Sequence, residues 1–515
     1  MPAYLTSLIV ILAAILGMHA VMARLIEHPQ DRWALARMRN SWLLLTPLAF
    51  ATPTPWLYFL GLALLARVVA GQPPAPSTPR EPRPDWSVAC WFGLLFAIPP
   101  LPVMLGGVGG IEYFLKVEHL RVLNLTLALL VWNQRQGLTA AARGPRWVLT
   151  DWAVAAYLVP NIILYFLGPS ATHGLRMTME LLLDLFLPYW IVSRGLTVLS
   201  GFRLAVLLLA QGVALLSIMG VFETLRGWPL YDGLEGAWDI KWSLTTYLMR
   251  DGLFRARATT GHSLALGFVV VLALCLWPWC QRTVRSPGGR ALGWAVLVGG
   301  LLASLARGPW LGALAGALTL AVCSARPVRN TGLVGAVLGV GVLVMSVVSK
   351  SFAELLARLW GTVSGEGADL DSEYRGQLLR TSLDLLSQSP WFGVPDYLSH
   401  MEHLRQGQGI IDIVNSYLSV ALGGGMVALL PYVLMYAGPL PALWRLRHRL
   451  PADDDSRQLA SCLIAAIVAQ MVMLSAVSSI SVIAPMSMAI SGLAVAFLRV
   501  HQQPLATDRA MARRA

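Results

Sequence analysis

Charge is what this sequence has least of. Only 13% of its 515 residues are Asp, Glu, Lys or Arg, against 56% that are hydrophobic, and a soluble domain carries about 25% charged residues. A chain this apolar cannot cover itself with polar surface, so lipid must form part of its solvent. Cysteine is also scarce. Cys90, Cys275, Cys280, Cys323 and Cys462 all fall in, or at the edges of, apolar runs, which excludes a disulfide framework and zinc-ligand spacing. Strand-like alternation in units of about ten residues, the mark of a membrane barrel, is missing. Met1 to Tyr4 has no basic stretch and no small-residue cleavage site, so the first apolar run reads as a retained anchor. There is no internal repeat and no soluble domain at either end.

What the sequence has instead is a succession of apolar runs of about 20 residues, the length a helix needs to cross about 30 Å of hydrocarbon. Backbone groups in lipid must be satisfied within their own segment, so helices are expected. Spans are predicted near 5–22, 41–53, 55–70, 86–105, 117–132, 148–167, 179–194, 203–222, 263–279, 291–306, 309–324, 331–348, 414–438, 459–476 and 480–498. Thr52-Pro53-Thr54-Pro55 makes 41–70 either a tight hairpin or one kinked helix. The fold class is an all-α polytopic transmembrane bundle of about 13–15 spans, with a long, partly helical loop before the last three.

The net charge of +12 is distributed unevenly. Arg135, Arg143 and Arg146, then Arg282, Arg285 and Arg290, then Arg326 and Arg329, then Arg445, Arg447 and Arg449 fill short loops, and Arg509, Arg513 and Arg514 end the chain. These loops alternate with the spans and are expected in the cytoplasm. That explains the charge better than nucleic acid does, since no basic stretch is interleaved with aromatics. The segment 71–85 is a Pro-rich cytoplasmic linker. By elimination two long mixed-charge segments, about 223–262 and 349–413, face the other side, and long ordered loops usually carry function.

Polar groups gather where four apolar helices meet that outer face. Arg255-Ala-Arg257-Ala-Thr-Thr-Gly261-His262-Ser263 opens the span at 263; two guanidiniums before a helix N-terminus suit an anion, although on these residues alone an interfacial arginine anchor and a Thr/Ser cap explain them somewhat better. Ser304-Leu-Ala-Arg307-Gly308-Pro309-Trp310 breaks two apolar runs and puts Arg307 on the outer side, where an arginine needs a partner or an anion. Asp371-Ser-Glu373-Tyr374-Arg375 precedes an amphipathic stretch and Pro390-Trp-Phe-Gly393-Val394; Arg375 offers a bidentate fork to phosphate, or is one charge on a surface helix. Ile411-Asp412-Ile413-Val414-Asn415-Ser416-Tyr417-Leu418 enters the span at 414, ahead of Gly423-Gly424-Gly425, with Asn415 and Tyr417 as caps or anchors. Asp369-Leu-Asp371 has the spacing of a metal-holding D-x-D, but in an acidic linker of the late loop. Asp453-Asp-Asp455 reads as a solvated turn.

In this order the four stretches resemble the O-antigen ligase and O-antigen polymerase family of bacterial membrane glycosyltransferases. Phe222-Glu223-Thr-Leu-Arg-Gly227-Trp-Pro-Leu-Tyr231 is similar to the family's segment leaving the preceding span. The resemblance covers about 200–440. It implies three parts: N-terminal membrane helices over 1–200, a ligase/polymerase-like core over 201–440, and C-terminal helices with a cytoplasmic tail over 441–515. It further implies a metal-independent transferase of the inner membrane, without cofactor, acting in lipopolysaccharide or exopolysaccharide assembly. The donor would be a polyprenyl-diphosphate-linked glycan and the acceptor a glycan or lipid, met at the periplasmic face among membrane lipids. Arg255, Arg257, Arg307 and Arg375 would hold the diphosphate and glycan, supported by His262, Asn415 and Tyr417. Fixed arginines stabilise charge developing on a leaving diphosphate, and a base near the acceptor hydroxyl would complete the site. The sequence departs from the ligase branch at Val414, where a histidine is usual, and at Gly423, where an acid is usual. The base therefore stays open among Asp412, Glu373, His400, His403 and His262, and the departure favours a polymerase-like or exopolysaccharide-assembly role, or a divergent member with altered activity. A transporter or flippase would show midplane charges and two related halves; a non-catalytic scaffold of glycan export is the other alternative.

Overall fold

The computed structural model describes residues 3–74, 85–106, 113–136, 147–168, 170–240, 249–250, 253–335, 370–394, 396–405, 411 and 413–502. Apolar sequence becomes helix nearly throughout. The first helices are α1 (Ala3–Leu25), α2 (Pro29–Ala51), α3 (Pro55–Ala70), α4 (Trp86–Leu94), α5 (His119–Gln136), α6 (Leu149–Phe166), α7 (Ala171–Leu181), α8 (Leu187–Gly195) and α9 (Leu199–Arg226). After a short α10 (Asp232–Ala237) follow α11 (Ser263–Cys280), α12 (Pro287–Ala303), α13 (Arg307–Val322), α14 (Leu370–Gln388), α15 (Ser416–Ala437), α16 (Leu440–Arg449), α17 (Asp455–Leu474) and α18 (Ile483–Gln502). Seven helices among the described residues are long and apolar enough to cross a membrane. The chain is an all-α, multi-pass membrane protein.

Three expectations change in detail. The stretch 41–70 is a hairpin, because Pro53 and Pro55 end α2 and start α3. The span expected over 86–105 is half a helix. At nine residues α4 is about 14 Å long, and the chain then runs irregularly into a small antiparallel hairpin, β1 (Val103–Gly106) with β2 (Tyr113–Val117). Non-helical backbone at such a depth needs cover from protein, and every residue of α4 is buried, as are Leu95 to Leu101. The run expected over 179–194 belongs to α7 and α8, joined through a π-turn at Leu182–Phe186. The last predicted span before the late loop, 331–348, lies mostly outside the described residues.

The two ends of the bundle differ. At one end the arginine-bearing connections are tied to one another. The Arg285 N–H donates to the Leu25 carbonyl at 2.9 Å, Arg135 donates to the Arg194 carbonyl at 2.7 Å, and Arg447 donates to the Cys323 carbonyl. Asp151 accepts from Tyr189 (2.6 Å), Arg194 (2.8 Å) and Arg499 (2.9 Å), which locks α6, α8 and α18 together. The other end holds β1–β2, α10, a second two-residue hairpin of β3 (Met249–Arg250) and β4 (Leu253–Phe254), and the connections 303–307 and 475–482.

Candidate active site

The first stretch is positioned by one carboxylate. Glu223, near the end of α9 and fully buried, accepts from the Leu230 N–H at 3.0 Å, the Arg257 N–H at 3.0 Å and the Ala258 N–H at 2.8 Å. Three donors on one buried acid pin the loop against the helix end. The Ala256 N–H donates to the Ala303 carbonyl at 3.0 Å, which joins the loop to the end of α12. The Thr259 hydroxyl donates to the Phe96 carbonyl at 3.0 Å, which joins it to the irregular chain after α4.

Arg257 differs from an open anion-binding arginine. It is 3% exposed, and its guanidinium is held by Asp232 and, at 2.8 Å, by Glu235, both on α10. Burial raises the Glu235 carboxyl to about 7, against the lowering effect of Arg257. His262 caps α11, its Nδ1 accepting from the Leu264 N–H at 3.1 Å. Burial, then the charges of Arg255 and Arg257, push it down to about 4. A neutral imidazole with Nδ1 engaged as acceptor offers Nε2–H as a donor, and His262 here forms the cap of α11.

The second stretch turns sharply between α12 and α13. Ser304 is buried and Leu305 has φ +46°. Arg307 is the first residue of α13 and is exposed. A Cβ on Gly308 would lie 3.1 Å from the Ala476 carbonyl oxygen, so this helix start rests directly on the connection between α17 and α18.

The third and fourth stretches interlock. The Val394 N–H donates to the Leu422 carbonyl at 2.6 Å, and the Met426 and Val427 N–H groups donate to Pro390 at 2.9 Å and Trp391 at 3.1 Å. The segment 390–394 thus enters a break in α15. That break needs positive φ at Gly425 (+62°) and Gly393 (+67°), and a Cβ on either would collide with backbone of the other segment. Leu378 and Leu385 of α14 pack with Ile413 and Leu422 in a small apolar cluster that Tyr374 also touches. Glu373 and Arg375 belong to α14, but their side chains lie outside the described residues, as do Asp412 and the side chains of the D-x-D. His400 is exposed, with Nδ1 3.1 Å from the Asp396 carbonyl. Asn415 caps α15 by accepting from the Leu418 N–H at 3.1 Å, and the Tyr417 hydroxyl donates to the Met471 carbonyl at 3.0 Å.

One connection, 475–482, ties three of the four stretches together, and sequence reasoning passed it over as a short link. Ser481 donates to the Thr260 carbonyl of the first stretch. Ala476 abuts Gly308 of the second. Ser478 donates to Ile413 at 3.0 Å, and Ser416 donates to Val477 at 2.7 Å, in the fourth. The available signal was Ser475-Ala-Val-Ser478-Ser479-Ile-Ser481, four serines in seven residues between apolar runs. Backbone strain collects in the same place. The described non-glycine residues with positive φ are Asp239 (+51°), Ala258 (+45°), Leu305 (+46°) and Ser481 (+52°). All four lie at this end, each costing on the order of 1–3 kcal/mol, and strain of this kind persists where surrounding contacts over-determine it, as at active sites. An all-apolar cavity of 360 Å³ lies elsewhere, between α1 and α12, and none of the four stretches lines it.

A polytopic helical bundle with strained, hydrogen-bonded polar connections gathered at one end defines the class: a multi-pass membrane protein with a helix-end site. Residues 291–433 match the family model described as O-antigen ligase, so the chain carries an O-antigen ligase domain. The match contains the second, third and fourth stretches; the first, at 255–263, precedes it. No curated protein matches the chain significantly. The protein is a membrane glycan-assembly enzyme of the ligase or polymerase kind.

Proposed function

We propose that the protein transfers or polymerises a glycan from a polyprenyl-diphosphate-linked donor at the periplasmic face of the inner membrane, without a metal ion. The observation that carries this reading is the 475–482 connection, which joins 260, 308 and 413–416 at one end of the bundle. The opposite placement of the arginine-bearing short loops supports the sidedness, since such loops stay in the cytoplasm. Arg307, exposed at a helix start, is the arginine best placed to meet the diphosphate, where the helix dipole adds to its charge. Arg255 and Arg375 join it in the proposed donor site, and Arg257 sets the loop that carries Arg255. Asp412, Glu373 and His400 are the candidates for the base that takes the acceptor proton.

The chemistry is a displacement at the anomeric carbon. The acceptor oxygen forms the new bond, its proton passes to the base, and the C–O bond to the diphosphate breaks with its electron pair on the leaving anion. Arginine charge stabilises that anion most as the bond breaks. The test is the surface-glycan profile of cells carrying Arg307→Ala or Arg375→Ala at matched protein level. A fall of about 10²-fold or more in chain transfer or extension is expected; an unchanged profile with both variants overturns the reading.

A further inference from the structure

A second cavity, of 720 Å³, opens at the same end, between the β1–β2 hairpin and the turn after α10. That volume lies within the range of about 300–1,000 Å³ typical of ligand sites. Its walls mix apolar surface, from Met104 and Ile240 among others, with Lys116, Glu118, Trp238 and Asp239. Four observations describe what it would take.

Trp238 is 6% exposed, and its indole N–H is buried with no hydrogen-bond partner among the described residues. Its ring is held against Tyr58 and Phe59, at centroid distances of 5.6 and 6.1 Å. A buried donor left without an acceptor costs about 1–3 kcal/mol, and a ligand oxygen would remove that cost. Next to it, Asp239 is exposed and holds φ +51°. Across the cavity, burial pushes the Glu118 carboxyl up to about 7, so near neutrality it can either accept or donate a hydrogen bond. The apolar wall of Met104 and Ile240, the indole N–H, the acids and the lysine together offer surface for C–H groups and both senses of hydrogen bond. That is the complement of a pyranose ring. Two acids against one lysine make a poor host for a diphosphate.

The cavity also adjoins the candidate active site through both of its walls. Two residues before Pro102, which lines it, Pro100 comes within 3.5 Å of the place a Gly261 Cβ would occupy. On the other side, α10 runs directly into Trp238 and carries the two acids that hold Arg257. None of the lining residues falls in the matched segment 291–433.

We infer that the cavity between the β1–β2 hairpin and the Trp238–Ile240 turn is a sugar-binding subsite that takes uncharged or amino-sugar residues of the acceptor glycan, beside the loop that carries Arg257 and Gly261. This rests on the proposed transferase reading for the word acceptor. Full-length protein in nanodiscs is titrated with maltotriose, cellotriose and chitotriose, followed by saturation-transfer-difference NMR and calorimetry, with inorganic pyrophosphate as competitor. At least one trisaccharide binds, pyrophosphate does not displace it, and Trp238→Phe and Asp239→Asn each weaken it by about fivefold or more, the value of one hydrogen bond. Trp238→Phe keeps the buried ring, and Asp239→Asn keeps a residue tolerant of positive φ, so both variants fold. Arg307→Ala leaves trisaccharide binding as it was. Absence of binding to the unmodified protein, displacement by pyrophosphate, or undiminished binding in both cavity variants overturns the inference. The two readings fail separately. Lost glycan transfer with Arg307→Ala alone, and unchanged trisaccharide binding in the cavity variants, removes the subsite and keeps the transferase. Trisaccharide binding sensitive to Trp238→Phe, beside an unchanged glycan profile with Arg307→Ala and Arg375→Ala, keeps the sugar site and removes the transferase.

Discussion

The two ends of this bundle use buried charge in opposite ways. At the arginine-bearing end, Asp151 gathers Arg194 and Arg499 from two other helices, and the result is a clamp between helices that are already regular. At the loop end, Glu223 forms no ion pair among the described residues. It accepts three backbone N–H groups, and in doing so fixes a loop that holds Ala258 at φ +45°. The arginine of that loop, Arg257, is then satisfied separately by Asp232 and Glu235. One end spends its acid on helix packing and the other on irregular backbone. Buried acids thus mark different things according to whether their donors are side chains or the main chain.

The sharpest break of this comparison is Glu223→Ala. It strands three buried N–H groups at about 1–3 kcal/mol each, so thermal unfolding in detergent should show the largest loss of stability, and glycan transfer should fall with it. Next is Asp151→Ala, which leaves two largely buried guanidiniums without their carboxylate, at about 3–5 kcal/mol. Here the prediction divides the ends: protein level and unfolding temperature drop, while glycan product per molecule of folded protein stays unchanged. A comparable loss of per-molecule transfer would erase the distinction.

A third test uses pH. Glu235 is raised from about 4.5 to about 7 in the folded protein, mainly by burial. The unfolded chain therefore releases this proton first, and stability declines as pH rises from about 4.5 to about 7, then levels. Glu235→Gln should flatten that slope in unfolding temperature against pH, and an unaltered slope would assign it to other groups. The smallest effect is expected from Asn415→Ala, which removes one N-cap at about 1 kcal/mol; it should lower the unfolding temperature slightly and leave the glycine break in α15 intact.

Much of the fold was legible because lipid imposes it. Apolar length, proline breaks and arginine-bearing short loops follow from the cost of bare backbone and charge in hydrocarbon, and these predicted α1, α3, α9, α11, α17 and α18 closely. The short α4 was only partly legible. Residues 95–101 are nearly as apolar as a span; Pro99 and Pro100 cannot continue a helix, and cover from the rest of the protein shields the bare backbone that results. At the site, the Ser-x-x-Arg-Gly turn and the Asn-x-Tyr-Leu helix start were readable as local breaks. The fate of Arg257 was not, since Asp232 and Glu235 lie more than twenty residues away in sequence and nothing local pairs them with it. The serine-rich connection was visible as composition, but its partners at 260, 308 and 413–416 are contacts that only the fold creates.

The 475–482 connection has a consequence for biogenesis. It joins the last two described helices, α17 and α18, and its hydrogen bonds reach Thr260, Ile413 and Ser416. During synthesis every other part of the centre leaves the ribosome first and waits in the membrane without its keystone. This hairpin arrives last, so a chain whose synthesis stops before it keeps the contacts of Glu223 and Arg257 but lacks the hydrogen bonds that Ser481 gives to Thr260 and Ser478 to Ile413.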